Sequence, residues 1–134
     1  MRLPVLETLS IALALFSAGC ARNYVSRGAE LYAGGNYVEA ALLFERTETR
    51  LASASPDERA RYGLYRGVTF QALGDVHGAK RWLAYSESTL RKERAELSSD
   101  EKNLLGFSLR EITGEEADPP VSEPAVAASR KSRP

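Results

Sequence analysis

Few side chains in this chain of 134 residues are of the types that do covalent or metal chemistry, and they do not occur in groups. There is one cysteine, Cys20, and one histidine, His77. A structural zinc site needs four ligands, mostly of these two types, and a disulfide within the chain needs two cysteines. No nucleophile is paired with a base, and no glycine-rich phosphate loop is present. The sequence therefore predicts a protein that is not an enzyme, with no catalytic residue, no metal and no cofactor, and it predicts His77 at the surface.

The charged side chains are balanced. The 18 lysines and arginines are matched by 18 aspartates and glutamates, so the formal net charge is zero at pH 7. Proteins that bind nucleic acid usually neutralise phosphates with a basic surface. The composition therefore predicts no nucleic-acid partner.

The start of the chain, from Met1 to Cys20, has the pattern of a targeting segment. An apolar run extends from about Leu9 to Ala18. A transmembrane helix needs about 20 apolar residues, whereas a run of about 7 to 15 followed by small residues is typical of a secretory signal peptide. The end of the segment, Ser17-Ala18-Gly19-Cys20, resembles the signal of bacterial lipoproteins, in which the cysteine is lipidated and becomes the first mature residue. Ser17 stands where that family most often has leucine.

This resemblance implies a signal peptide over residues 1–19 and a lipid anchor on Cys20. Two or three acyl chains hold a protein on a bilayer, whereas one alone does not. In that family an aspartate after the cysteine marks retention in the inner membrane, and this chain has Ala21. We therefore expect a cell-envelope protein on the outer membrane that faces the periplasm. The alternative is an ordinary cleaved signal peptide, because the residues before Cys20 also fit a small-x-small cleavage site.

The middle of the chain contains an internal repeat. Gly28, Gly67 and Gly106 are equally spaced, and we call their separation the repeat interval. The pattern G-N-Y-x-x-A-x-x-x-F from Gly35 is matched, one repeat interval later, by G-D-V-x-x-A-x-x-x-L from Gly74. Glycine inside a helix costs about 1 kcal/mol relative to alanine, so its recurrence indicates the close approach of a neighbouring helix. These residues resemble the tetratricopeptide repeat, a helix-turn-helix unit of about 34 residues.

The resemblance and the apolar periodicity together predict an all-α fold of about five helices in antiparallel pairs. The expected helix ranges are 22–34, 37–52, 57–73, 76–97 and 100–113. The fifth range starts with a capping-box pattern at Ser98 and Glu101 and repeats only the first half of the unit, as a terminal cap does.

Three segments follow from this division of the chain. Beyond Thr113 proline, alanine and charged residues dominate. Such a composition buries too little apolar surface to offset the entropy of ordering. We therefore expect a signal peptide at 1–19, a tetratricopeptide-like helical domain at 20–113 and a disordered tail at 114–134.

In tetratricopeptide proteins the first helices of successive repeats line a groove that binds peptides or partner helices. Carried over residue by residue, the resemblance implies a partner-binding groove formed by Arg22, Val25, Ala29, Tyr32, Arg61, Leu64, Val68 and Gln71. The partner would lie in it as a helix or segment in a groove. The alternative is that Val25, Leu64 and Val68 are buried by the fifth helix or by neighbouring helices in a closed bundle.

The function that the resemblance implies is a membrane-anchored interaction module of the bacterial cell envelope, an adaptor or assembly factor. Its partners would be another envelope protein and the membrane, the latter through the lipid on Cys20. Two alternatives are a secreted small envelope enzyme or accessory domain of an enzyme, and a lipoprotein with a purely structural role.

Overall fold

The computed structural model describes residues 24–114, and every element within this range is a helix. The elements in chain order are α1 (Tyr24–Ala33), α2 (Tyr37–Thr47), a 3-10 helix (Glu48–Ser53), α3 (Pro56–Ala72), α4 (Val76–Glu93) and α5 (Ser99–Thr113). The predicted all-α fold with five helices is confirmed. The predicted signal peptide, Cys20 and the tail from residue 115 onward lie outside the described residues.

Two helices begin with a complete capping box. The Ser55 hydroxyl accepts a hydrogen bond from the Glu58 amide at 3.2 Å, and the Glu58 carboxylate accepts one from the Ser55 amide at 3.1 Å. Ser98 and Glu101 make the same pair of bonds at the start of α5, as the sequence predicts. Each box satisfies two amide groups that the first turn of a helix leaves without a partner.

Two predicted helix ends are wrong. The sequence pattern extends the second helix to residue 52, but the α-helix ends at Thr47 and a 3-10 helix follows. It extends the fourth to residue 97, but α4 ends at Glu93 and Arg94 adopts a left-handed conformation with φ of 53°. This break turns Ala95 and Leu97 into the core, where both are buried. Burial of these two side chains therefore decides the end of α4.

The helices form antiparallel pairs whose contacts recur at the repeat interval. A Cβ atom on Gly28 would collide with the ring of Phe44, and one on Gly67 would lie 2.6 Å from Cγ of Leu83. The facing small residues, Ala40 and Ala79, are fully buried. Glycine at the two equivalent positions therefore permits the close approach of the paired helices.

The turns within the two pairs are also equivalent. Gly35 and Gly74 have φ values of 77° and 80°, in the left-handed region that glycine enters without strain. The amide of the following residue closes each turn, from Asn36 to the Leu31 carbonyl at 2.8 Å and from Asp75 to the Phe70 carbonyl at 2.9 Å. Both patterns end a helix with a glycine C-cap and place the next helix alongside it.

Helix α5 lies parallel to α3. Arg61 Nε donates to the Glu101 carboxylate at 2.8 Å near the start of both helices, and Gln71 donates to Glu111 near the end of both. Leu105 of α5 packs in one buried cluster with Leu64, Val68 and Leu83. Because successive helices are antiparallel, the turns at 34–36 and 73–75 and the end of α5 lie at one end of the domain, and Tyr24 lies at the other.

Candidate functional site

The residues of the predicted groove are divided between the core and the surface. Arg22 lies outside the described residues. Val25, Leu64 and Val68 are buried, while Ala29, Tyr32, Arg61 and Gln71 are half-buried. In this arrangement α5 packs over Leu64, so a partner could reach only the rest of the surface. The structure therefore agrees with the alternative of a filled groove at these apolar positions.

An open cleft remains at the end of the domain that carries the interhelical turns; we call it the end cleft. Its volume is about 510 Å³. Helix α5 lines one side, and α1, α3 and α4 line the other. The lining side chains are Leu104, Phe107, Ser108, Glu111 and Ile112 of α5, together with Tyr32, Val68, Gln71, Ala72 and Val76. Three residues of the predicted groove, Tyr32, Val68 and Gln71, are thus brought together here.

Exposed apolar side chains dominate the mouth of the end cleft. Phe107 is 57% exposed and Val76 is 49% exposed. Leu73, which is 43% exposed, follows Ala72 of the cleft wall at the end of α3. Aromatic and aliphatic side chains left open beside a concavity are the usual anchors of a binding surface.

Polar groups lie at the rim of the cleft. The Gln71 amide donates to the Glu111 carboxylate and joins the ends of α3 and α5. The Tyr32 ring packs against Tyr37 and Tyr65, with centroid distances of 5.6 and 6.3 Å. Burial raises the pKa of Tyr32, and Tyr37 and Glu111 raise it further. The Tyr32 hydroxyl is therefore protonated at neutral pH and available as a hydrogen-bond donor.

Phe107 is a cleft residue outside the predicted groove, although the repeat contains a signal for it. Phe107 follows Val68, a predicted groove residue, by one repeat interval. Extending the groove positions into the final half repeat would have found it. No sequence pattern predicts Glu111 as a cleft residue, because its position there depends on the contact between α3 and α5 through Gln71.

A second concavity, of about 590 Å³, is lined in part by Glu48 and Trp82, which both contact the buried Arg66. Arg66 is 5% exposed and donates to the Glu48 carboxylate at 2.7 Å and to the Tyr62 hydroxyl at 2.9 Å. Its guanidinium lies 4.2 Å from the ring centroid of Trp82. Burial raises the pKa of Tyr62 to about 12, against the opposing effect of Arg66. The charge is thus compensated by an ion pair and an aromatic stack, which are features of a structural core.

The described part of the chain contains no candidate metal site and no candidate membrane-spanning helix. Within residues 24–114 no group of three or more His, Cys, Asp or Glu side chains could hold a metal ion. No helix in this range is both long and apolar enough to cross a bilayer. His77 is exposed at the start of α4, as predicted.

The chain matches no protein-family model, and comparisons with curated proteins and with solved structures give no significant match.

Proposed function

We propose that this protein is a lipid-anchored interaction module of the bacterial cell envelope, and that the end cleft binds a segment of another envelope protein. The observation that carries the proposal is the exposed Phe107 in a cleft formed by four helices. An apolar anchor at a preformed concavity suits a partner segment with complementary apolar side chains. The half-buried Tyr32, through its hydroxyl, and the Gln71–Glu111 pair provide polar groups at its rim.

The proposed relationship to tetratricopeptide proteins is supported by the contacts that recur at the repeat interval. They include the close approach at Gly28 and Gly67 and the left-handed turns at Gly35 and Gly74. In such stacks each unit buries its apolar face against the next one. Helix α5 covers the last full unit in the same way.

Tyr24, the first described residue after the proposed anchor, and the end cleft lie at opposite ends of the domain. Cys20 precedes Tyr24, the first residue of α1, by four positions. Tyr32, nearly at the other end of α1, lines the cleft. A lipid on Cys20 would hold the protein on the outer membrane, on its periplasmic side, and the partner would be bound at the end of the helices remote from Tyr24.

A photo-crosslinking experiment in cells tests the cleft. The photoreactive residue p-benzoylphenylalanine is placed at Phe107, and a matched variant carries it at Val38, which is 62% exposed on α2. We expect a discrete protein adduct from position 107 and none from position 38. Identical adduct patterns from both positions would contradict the proposal, because they would show non-specific proximity.

A fractionation experiment tests the anchor separately. The Cys20→Ala variant should be recovered in the soluble periplasmic fraction or as an unprocessed precursor, whereas the unchanged chain stays with membranes. Processed Cys20→Ala protein that remains in the membrane fraction would rule out lipid anchoring through this cysteine.

A further inference from the structure

We propose that the end cleft also binds the C-terminal segment of the same chain, residues 119–133, and that this segment competes with the partner. The competition rests on the proposed function, whereas the binding of the segment does not. Three features support it: where the segment begins, the pattern of its apolar residues, and the charge at the cleft.

The last described residues before the segment lie beside the cleft. Ile112 and Glu111 line the cleft, and the chain leaves α5 at Gly114, whose φ of 69° is left-handed. A left-handed glycine at this position ends a helix. Residues 115–134 follow. At about 3.1 Å per residue in a polyproline II conformation they span up to about 60 Å, well beyond the roughly 22 Å length of α5.

The apolar residues of the segment have a spacing that suits an extended ligand. Val121, Pro124 and Ala127 follow one another at intervals of three, which is the period of a polyproline II helix. Prolines at 119, 120 and 124 oppose an α-helix there. Segments of this kind bind grooves lined by aromatic side chains, and the cleft provides Phe107 and Tyr32.

The segment carries three basic side chains against one carboxylate, that of Glu123, so its net charge is opposite in sign to that of Glu111 at the rim of the cleft. Among residues 24–114, Glu111 takes part in no ion pair and is exposed at the rim. The segment ends with Arg130, Lys131 and Arg133. Because the segment is tethered next to the cleft, its effective concentration there is in the millimolar range, so modest contacts suffice for binding.

Disulfide trapping in the full chain tests this inference. In a Cys20→Ser background, Ser122→Cys is combined with Ala72→Cys in the cleft wall. The matched control combines Ser122→Cys with Arg110→Cys, which is exposed on α5 outside the cleft and only four positions before Gly114. A segment that moves freely would reach position 110 at least as fast as position 72. We expect the cleft pair to form its intramolecular disulfide at least tenfold faster under mild oxidation.

A third variant separates binding from proximity. Adding Val121→Asp and Pro124→Asp to the cleft pair should lower its rate to that of the control pair. Equal rates for the two original pairs would overturn the inference, and so would a preference that survives the two aspartates. If position 107 forms partner adducts but the two disulfide pairs form at equal rates, this inference alone is overturned. If the cleft pair forms faster but position 107 gives no partner adduct, the proposed function alone is overturned.

Discussion

At the scale of single residues, Arg66 shows how a charged side chain can be accommodated in the core. It is 5% exposed. Glu48 pairs with its charge, the Tyr62 hydroxyl accepts a further bond, and Trp82 stacks on its guanidinium. The Tyr62–Arg66 spacing of four is visible in the sequence, but the contacts with Glu48 and Trp82 come from two other helices and have no sequence pattern.

Two equivalent glycines should respond to alanine in opposite ways. At Gly67 a Cβ atom would lie 3.0 Å from the backbone nitrogen of Leu83, whereas at Gly106 the nearest neighbour is the flexible Arg110 guanidinium, 3.7 Å away. We expect Gly106→Ala to stabilise the fold by about 0.5–1 kcal/mol, the helix propensity gain, and Gly67→Ala to destabilise it by about 1–3 kcal/mol through overpacking. Urea denaturation of both variants measures the two changes. Stabilisation by Gly67→Ala would show that α4 moves away at little cost.

At the scale of helices, the starts were easier to predict than the ends. Ser98 and Glu101 marked the start of α5 because a capping box is a local pattern. The end of α4 depends on Ala95 and Leu97 turning into a core that the rest of the chain builds. Arginine has no special preference for turns, so the local sequence did not predict the left-handed conformation of Arg94.

The contact between Arg61 of α3 and Glu101 of α5 should contribute less to stability as the pH falls. Burial by itself raises the pKa of Glu101, but the bonds from Arg61 and from Ser98 outweigh it and hold the pKa below the usual 4.5. Because the folded state then binds protons less readily than the unfolded state, the stabilisation is complete at neutral pH and is lost as the pH falls below about 4.5.

The test is the free energy of unfolding of Glu101→Gln between pH 7 and pH 3. We expect this variant to be about 1–2 kcal/mol less stable at pH 7 and to show a shallower loss toward pH 3. The matched control is Glu58→Gln, which alters the capping box of α3; among residues 24–114 the Glu58 carboxylate bonds to Ser55 alone. An unchanged pH dependence in Glu101→Gln would show that other groups govern the acid response.

At the scale of the whole molecule, the half repeat decides which part of the groove is open. The sequence predicted the five helices, the repeat interval and three of the residues that meet in the end cleft. It left open whether the fifth helix fills the groove, because that depends on how α5 packs against α3. The structure places Leu64 and Val68 in the core and leaves the concavity at one end, beside Phe107.

Substitutions at two nearby positions of α5 should therefore affect different properties, partner binding at one and stability of the fold at the other. Phe107 is 57% exposed and Leu105 is 5% exposed. Phe107→Ala should change the free energy of unfolding by less than about 1 kcal/mol, whereas Leu105→Ala should lower it by about 2–5 kcal/mol. Thermal unfolding gives the comparison, and partner recovery by the still-folded Phe107→Ala protein gives the functional result. A large loss of stability in Phe107→Ala would remove Phe107 from the binding surface and place it in the fold.

The number of α-helices between residues 24 and 114 is odd, and each reverses the course of the one before it. Because the count is odd, the chain enters the described domain at the Tyr24 end and leaves it at the end that carries the end cleft. A second helix in the last unit would bring the chain back to the Tyr24 end. A reporter inserted directly after Gly114 therefore samples the surroundings of the end that carries the end cleft, and one inserted at 48–53 samples those of the Tyr24 end. The half repeat thus places the first and the last described residues at opposite ends of one stack of helices.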